Sequence, residues 1–261
     1  MVSIVQNTDV KQKDANRAVV VAVTSRAVFN SRAEDDDGVY GESVAFPLLR
    51  SMQKVNERLL EENPAESLLF DIVLITTDRH QQQQILCIIN STKHHGLEVS
   101  RFCFCNEEDF TESLLKNSVQ LFLSTDRNEA LQVSQKGVLS ALLDENSASC
   151  PSEQLRVLLC GDAFSQSDAS LTLLSRQAAQ SFSAQLGKMR QRFGMFDSPL
   201  WITVVTSHGG RESCGDSLRA LRSHGVSVDE AYCLAGAPRG PILSLLQPHF
   251  LLSESFSGLQ D

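Results

Sequence analysis

Four stretches of the chain end an apolar run on residues able to do chemistry. LRVLLCGDAFSQ (155–166) reaches Cys160, Gly161 and Asp162, and LWITVVTSHGG (200–210) reaches Thr206, Ser207 and the pair Gly209–Gly210. AYCLAGAPRGP (231–241) leads to Arg239, and PHFLLSE (248–254) to Ser253 and Glu254. A Cys160 thiolate would be a nucleophile if backbone N–H groups and an arginine depressed its pKa. Asp162, two residues on, is an unfavourable neighbour for such a thiolate, and no CxxxxxR loop follows Cys160. The other reading of Cys160 is a small apolar residue filling the end of a buried strand.

Residues so far apart in sequence meet only if the intervening elements bring the four run ends together. Apolar runs of strand length recur along the chain: VVVAV (19–23), FDIVLI (70–75), VSRFCF (99–104), VQLFL (119–123), LRVLL (155–159), LWITVV (200–205), AYCLA (231–235) and HFLL (249–252). Near-continuous apolar runs predict strands covered on both faces. Between them, helical periodicity predicts helices over 47–62, over 81–95 closed by Gly96, and over 128–143. A long apolar stripe of Leu171, Leu174, Ala178, Phe182, Leu186, Met189 and Phe193 ends at Gly194. Alternating strands and helices are the pattern of a parallel α/β sheet with right-handed crossovers, a Rossmann-like fold. Ligands in such folds sit beyond the carboxyl ends of the strands, where all four stretches point.

Composition narrows the function classes. The 261 residues carry 23 Lys and Arg against 32 Asp and Glu, a net charge of -9, and no basic run, which argues against a nucleic-acid groove. The acidic run 34–37 reads as a solvated loop. No apolar stretch has the length of a signal peptide or of the roughly 20 residues a membrane span needs, so the chain reads as cytoplasmic. Seven cysteines at irregular spacing suit buried reduced thiols, and Cys103 and Cys105 are too close for a zinc knuckle.

Together these stretches resemble a known family. VTSRAVF (23–29), AFPLL (45–49), FDIVL (70–74), INS (89–91), RFC (101–103), LRALRSHG (218–225), DEAYCLAGAPRGP (229–241) and PHF (248–250) occur in this order. They are similar to the cytosolic type I 5'-nucleotidases of the haloacid dehalogenase superfamily, over about Ala18 to Phe256. The resemblance implies Mg2+-dependent hydrolysis of nucleoside monophosphates, AMP above all. It implies a flexible tail over 1–17, an N-terminal α/β portion over 18–149, and a haloacid dehalogenase-like core with a shortened cap segment over 150–261. NSASCPSEQ (146–154) is the candidate linker.

The same resemblance assigns roles to the strand ends. Cys160 stands where the family has its nucleophilic Asp, and Asp162 where it has a general acid/base that is also near the metal. Thr206, with Ser207 and the Gly209–Gly210 backbone, would hold phosphate oxygens. Arg239 replaces the lysine of GAPKGP, keeping the charge with a different geometry. Ser253 and Glu254 stand where an acidic pair would carry Mg2+, leaving Asp162 and Glu254 as the candidate metal ligands. After FDIVL and RFC the family's Asn-rich and Gly-Gly-Asn turns are replaced by Thr76, Thr77, Asp78, Arg79 and by Phe104, Cys105, Asn106, Glu107, Glu108. Simpler roles stand beside these: Thr206 as a strand cap, Gly209–Gly210 and Asp162 as turn residues, Arg239 as a solvated residue before a helix at Pro241, and His94 and His95 as a helix C-terminal pair facing water.

Three functions follow from this set. The first is an active Mg2+-dependent nucleotidase. The second is a catalytically impaired member that keeps a nucleoside monophosphate or phosphate pocket, or only the scaffold, and acts by binding, including to a protein partner or a second copy. The third is a metal-independent phosphatase built on Cys160. Loss of carboxylates at both 160 and 253 favours the second, because Mg2+ sites rely on hard oxygen ligands and one or two carboxylates.

Overall fold

The computed structural model describes residues 2–34, 38–77, 82–143, 149–161, 173–207 and 211–253. In chain order the first half holds β1 (Ser3–Gln6), β2 (Val19–Thr24), α1 (Ser25–Val28), β3 (Phe29–Glu34), β4 (Tyr40–Glu42), α2 (Phe46–Glu62), β5 (Phe70–Thr76), α3 (Gln82–His94), β6 (Arg101–Phe104), α4 (Phe110–Lys116), β7 (Leu121–Ser124), α5 (Arg127–Gln135) and β8 (Leu139–Leu142). The second half holds β9 (Leu155–Cys160), α6 (Leu173–Arg190), β10 (Leu200–Thr206), α7 (Arg211–Ser223), β11 (Glu230–Cys233), α8 (Gly240–Leu246) and β12 (Phe250–Leu252).

Strands β1-β6-β5-β2-β7-β8 form one sheet and β11-β10-β9-β12 another, while β3 and β4 pair as a short ribbon. All pairings in the two larger sheets are parallel except β1 on β6. Every residue of β2 and β5 is buried, as expected of strands covered on both faces. One buried cluster runs through both sheets: Val21, Leu74 and Leu121 of the first and Val157, Ile202 and Phe250 of the second share it with Leu48 and Met52 of α2 and Phe182 and Leu186 of α6. Each such side chain contributes roughly 1.5–3 kcal/mol on burial. The opposite face of the second sheet has a thinner cover, in which Leu158, Cys160, Val205 and Leu251 pack with Leu243 of α8.

Two motif residues hold the sheets by charge. The Asp71 carboxylate of FDIVL accepts from Arg101 Nη2 of RFC at 2.5 Å. Asp229 of DEAYCLAGAPRGP receives Arg190 Nη2 at 2.6 Å from the end of α6, and its other oxygen accepts from Ile202 N of β10 at 2.8 Å.

Three expectations need correcting. The helix over 128–143 stops at Gln135; Gly137 turns the chain at φ 86, and 139–142 run as β8 beside β7. A short apolar run after a glycine fits either periodicity, and the open edge of β7 decides for a strand. The segment 1–17 is not a loose tail throughout, since β1 pairs with β6 and Asn7 Nδ2 donates to Val99 O at 2.9 Å. His95 does not face water. Its ring lies 5.3 Å from that of Phe46 and 6.1 Å from that of Phe29, with Nε2 2.9 Å from Tyr40 O, whereas His94 is exposed. All seven cysteines are reduced thiols, five of them buried.

His249, immediately before β12, is buried and accepts from Arg156 N through Nδ1 at 3.1 Å. Burial pushes its pKa down from 6.5 to about 4. Above the ordinary histidine range both the folded and unfolded states are neutral there. As pH falls through 6.5 the unfolded chain takes up a proton that the folded chain refuses until about pH 4. Stability should therefore decline by up to about 3 kcal/mol across that window and level off below it. Urea denaturation midpoints at successive pH values check this. His249→Asn, whose Oδ1 can replace Nδ1 as acceptor, should flatten that part of the profile, and an unchanged slope would refute the assignment.

Candidate functional site

Parallel pairing brings the second sheet's strand ends into register. Val205 lies opposite Cys160, Thr206 opposite Cys233, and Leu252 opposite Leu159, so Ser253 follows β12 at the level of Cys160 on the neighbouring strand. Cys160 is only 5% exposed and packs with Leu158 and Val205.

Gly161 is required by close approach. A methyl group there would stand 2.6 Å from Thr206 Cγ2 and 3.0 Å from both Cβ and Oγ of Ser217. Ser217 on α7 also donates its hydroxyl to Gly161 O at 3.1 Å, which fixes the direction in which the chain leaves β9. Ser217 had no sequence signal; its role depends on α7 crossing the end of β9.

The turn after β11 is tied to the end of β10. Leu234 N donates to Thr206 O at 2.9 Å and Gly236 N to Ser207 O at 3.0 Å, with Ala235 at φ 51 and Gly236 at φ 86. Two consecutive left-handed residues fall on Ala235 and Gly236 of LAGAPRGP, where the glycine removes the steric cost at one of them. The turn delivers Arg239 to the start of α8, where Pro241 occupies the first turn. Arg239 Nη2 then donates to Ser207 Oγ at 2.5 Å and lies 3.9 Å from Cys160 Sγ. The Thr206 hydroxyl is fully buried and finds no hydrogen-bond partner among the described residues.

The structure thus brings Cys160, Ser207 and Arg239 together, with Ser253 at the next strand end, whereas the Thr206 side chain lies against Gly161 on the other face of β10. Asp162, Gly209, Gly210 and Glu254 lie outside the described residues. What is assembled at the parallel strand ends is a guanidinium, a hydroxyl and a thiol, groups of the kind that meet the oxygens of a tetrahedral anion. The thiol and hydroxyl at 160 and 253 do not fit Mg2+, which takes hard oxygen ligands, carboxylates foremost. Among the described residues no group of three or more His, Cys, Asp and Glu is placed to hold a metal. A cavity of about 380 Å³ lies elsewhere, against α2, lined by Arg50, Lys54, Glu57 and Glu153 among others. Its cations are engaged within the chain: Lys54 with Glu57 at 3.3 Å, and Arg50 with the carbonyls of His95 and Gly96.

Parallel sheets flanked by helices, with these groups at the strand ends, define a mixed α/β protein with a Rossmann-type core of the haloacid dehalogenase kind. The chain belongs to the 5'-nucleotidase family, whose description matches residues 32–191. It is 32% identical over 237 residues to human cytosolic 5'-nucleotidase 1B, an alignment covering 80% of this chain and 38% of that protein. The chain therefore spans about two fifths of that relative's length. No helix among the described residues is long and apolar enough to cross a membrane.

Proposed function

We propose that this chain is a catalytically impaired member of the 5'-nucleotidase family that binds a phosphomonoester of the nucleoside monophosphate type, AMP in the first instance, at the strand-end crevice without hydrolysing it through Mg2+. The observation that carries the reading is the geometry around Arg239. Its guanidinium stands on Ser207 at 2.5 Å and near Cys160 at 3.9 Å, which supports a phosphate-holding role for Arg239 and Ser207 beside a thiol at the family's nucleophile position. A cytoplasmic setting follows the relative's description. Function then rests on binding, to the nucleotide and through it to a protein partner or a second copy.

A thermal-shift titration with AMP, IMP, ATP and inorganic phosphate, with and without Mg2+, tests this, because a ligand specific to the folded state raises its stability. At one hundred times the dissociation constant the stabilisation is about 2.7 kcal/mol. AMP or phosphate should raise the melting temperature; silence across the panel would leave only a scaffold.

The 3.9 Å approach of Arg239 to Cys160 also favours a second reading, a metal-independent phosphatase using the thiolate. That reading requires an AMP phosphatase activity that survives EDTA and disappears in Cys160→Ser.

A further inference from the structure

Resting on the phosphomonoester-binding reading above, we infer that Cys160 turns this strand-end crevice into a metal-independent anion seat, and that the aspartate its relatives carry would weaken anion binding here. The Cys160 side chain lies at the carboxyl end of β9, packed among apolar groups, with Arg239 Nη2 3.9 Å away. The same nitrogen reaches Ser207 Oγ at 2.5 Å, so a hydroxyl and a guanidinium stand beside the thiol. An oxyanion held by Arg239 and Ser207 would sit within a few ångströms of residue 160.

A carboxylate at that position would place one more negative charge beside both Arg239 and the bound anion. In a partly desolvated site such a charge acts strongly at this range, and a divalent cation is the ordinary means of offsetting it. With a thiol at 160 there is one charge fewer to offset. Whatever other groups Arg239 meets, the difference between the two side chains remains one negative charge. The loss of the hard ligand at Ser253 is consistent with a site that no longer needs the cation. The chemistry recognised is the phosphoryl group itself, whether free or carried by a nucleoside.

Isothermal titration calorimetry with inorganic phosphate and with AMP, in EDTA and then in Mg2+, tests the inference. The unmodified protein should bind with the same affinity in both conditions. Cys160→Asp should bind at least about tenfold more weakly in EDTA, on the electrostatic argument. Cys160→Asn, with the same shape and no charge, should stay within about threefold of the unmodified protein, and Arg239→Met should lose at least about tenfold. Tighter binding of AMP than of phosphate would identify the nucleoside ester as the preferred source. Binding by the unmodified chain only in Mg2+, or equal affinities for Cys160→Asp and Cys160→Asn, would overturn the inference. The comparison of EDTA with Mg2+ on the unmodified chain stands even if the aspartate variant fails to fold. No binding of either probe in either condition would remove the binding reading and this inference together, whereas metal-dependent binding removes only the inference.

Discussion

Cys160→Asp on its own is expected to leave AMP hydrolysis in Mg2+ at the level of buffer. In the family mechanism the residue at this position is the group that becomes phosphorylated, and deleting a nucleophile acts on the order of 10⁶-fold in kcat. Restoring it repairs one loss of two. Ser253, following β12 beside the end of β9, still presents a hydroxyl where the family's acidic pair would stand, and the cation that would offset the new carboxylate lacks its ligand set. The buried setting adds a second obstacle, since Cys160 packs with Leu158, Val205 and Leu243, and a carboxylate there is costly to desolvate. Phosphate release assays on the variant, with EDTA as control, check this. Turnover that EDTA abolishes would show that the metal site is intact without a carboxylate at 253.

The largest effect on stability is expected from Asp229→Ala. Arg190 and Asp229 are almost fully buried, with side chains 10% and 8% exposed, and form a forked pair. Arg190 Nε donates to Oδ1 at 2.9 Å and Nη2 to the same oxygen at 2.6 Å, while Oδ2 holds Ile202 N at 2.8 Å. Arg190 Nη1 also donates to Phe193 O at 3.1 Å, so one guanidinium ties the end of α6 to the start of β11 and to β10. Removing the carboxylate leaves a buried cation uncompensated, which costs about 3–5 kcal/mol. For a chain of this size that lowers the melting temperature by roughly 10 °C. Asp229→Asn keeps an acceptor for Ile202 N and should lose less. Urea denaturation separates the two, and an alanine variant within about 1 kcal/mol of the parent would show the pair to be dispensable.

These results also mark where the sequence was readable. β2, β5, β9 and β10 were legible because strands buried on both faces leave a nearly unbroken apolar run, and parallel pairing then carries their ends to one side. β8 was not, because 139–142 is short and follows a helix whose apolar spacing it continues. The β3–β4 ribbon was missed as well, since its residues are mixed in polarity and its pairing shifts register between Asn30 and Glu34. At the candidate site, strand-end position and family resemblance pointed to Cys160, Ser207 and Arg239, which lie within one contact. The contact that joins them was not, because it depends on the left-handed turn at Ala235 and Gly236 hydrogen-bonded to the end of β10. Ser217 lay in a helix with no motif, and its importance emerges only from the space denied to a side chain at Gly161. His95 illustrates the reverse case, in which helix-end position suggested solvent and the aromatic rings of Phe29 and Phe46 supplied a packed site instead.

On the proposed function the strand ends hold a phosphomonoester and do not cleave it by the family's Mg2+ chemistry. Phosphorus NMR of AMP incubated with stoichiometric unmodified protein in Mg2+ observes both halves at once. An AMP resonance shifted or broadened by binding is expected, with no inorganic phosphate resonance growing in over hours. A phosphate resonance that grows with time and stops on addition of EDTA would contradict it.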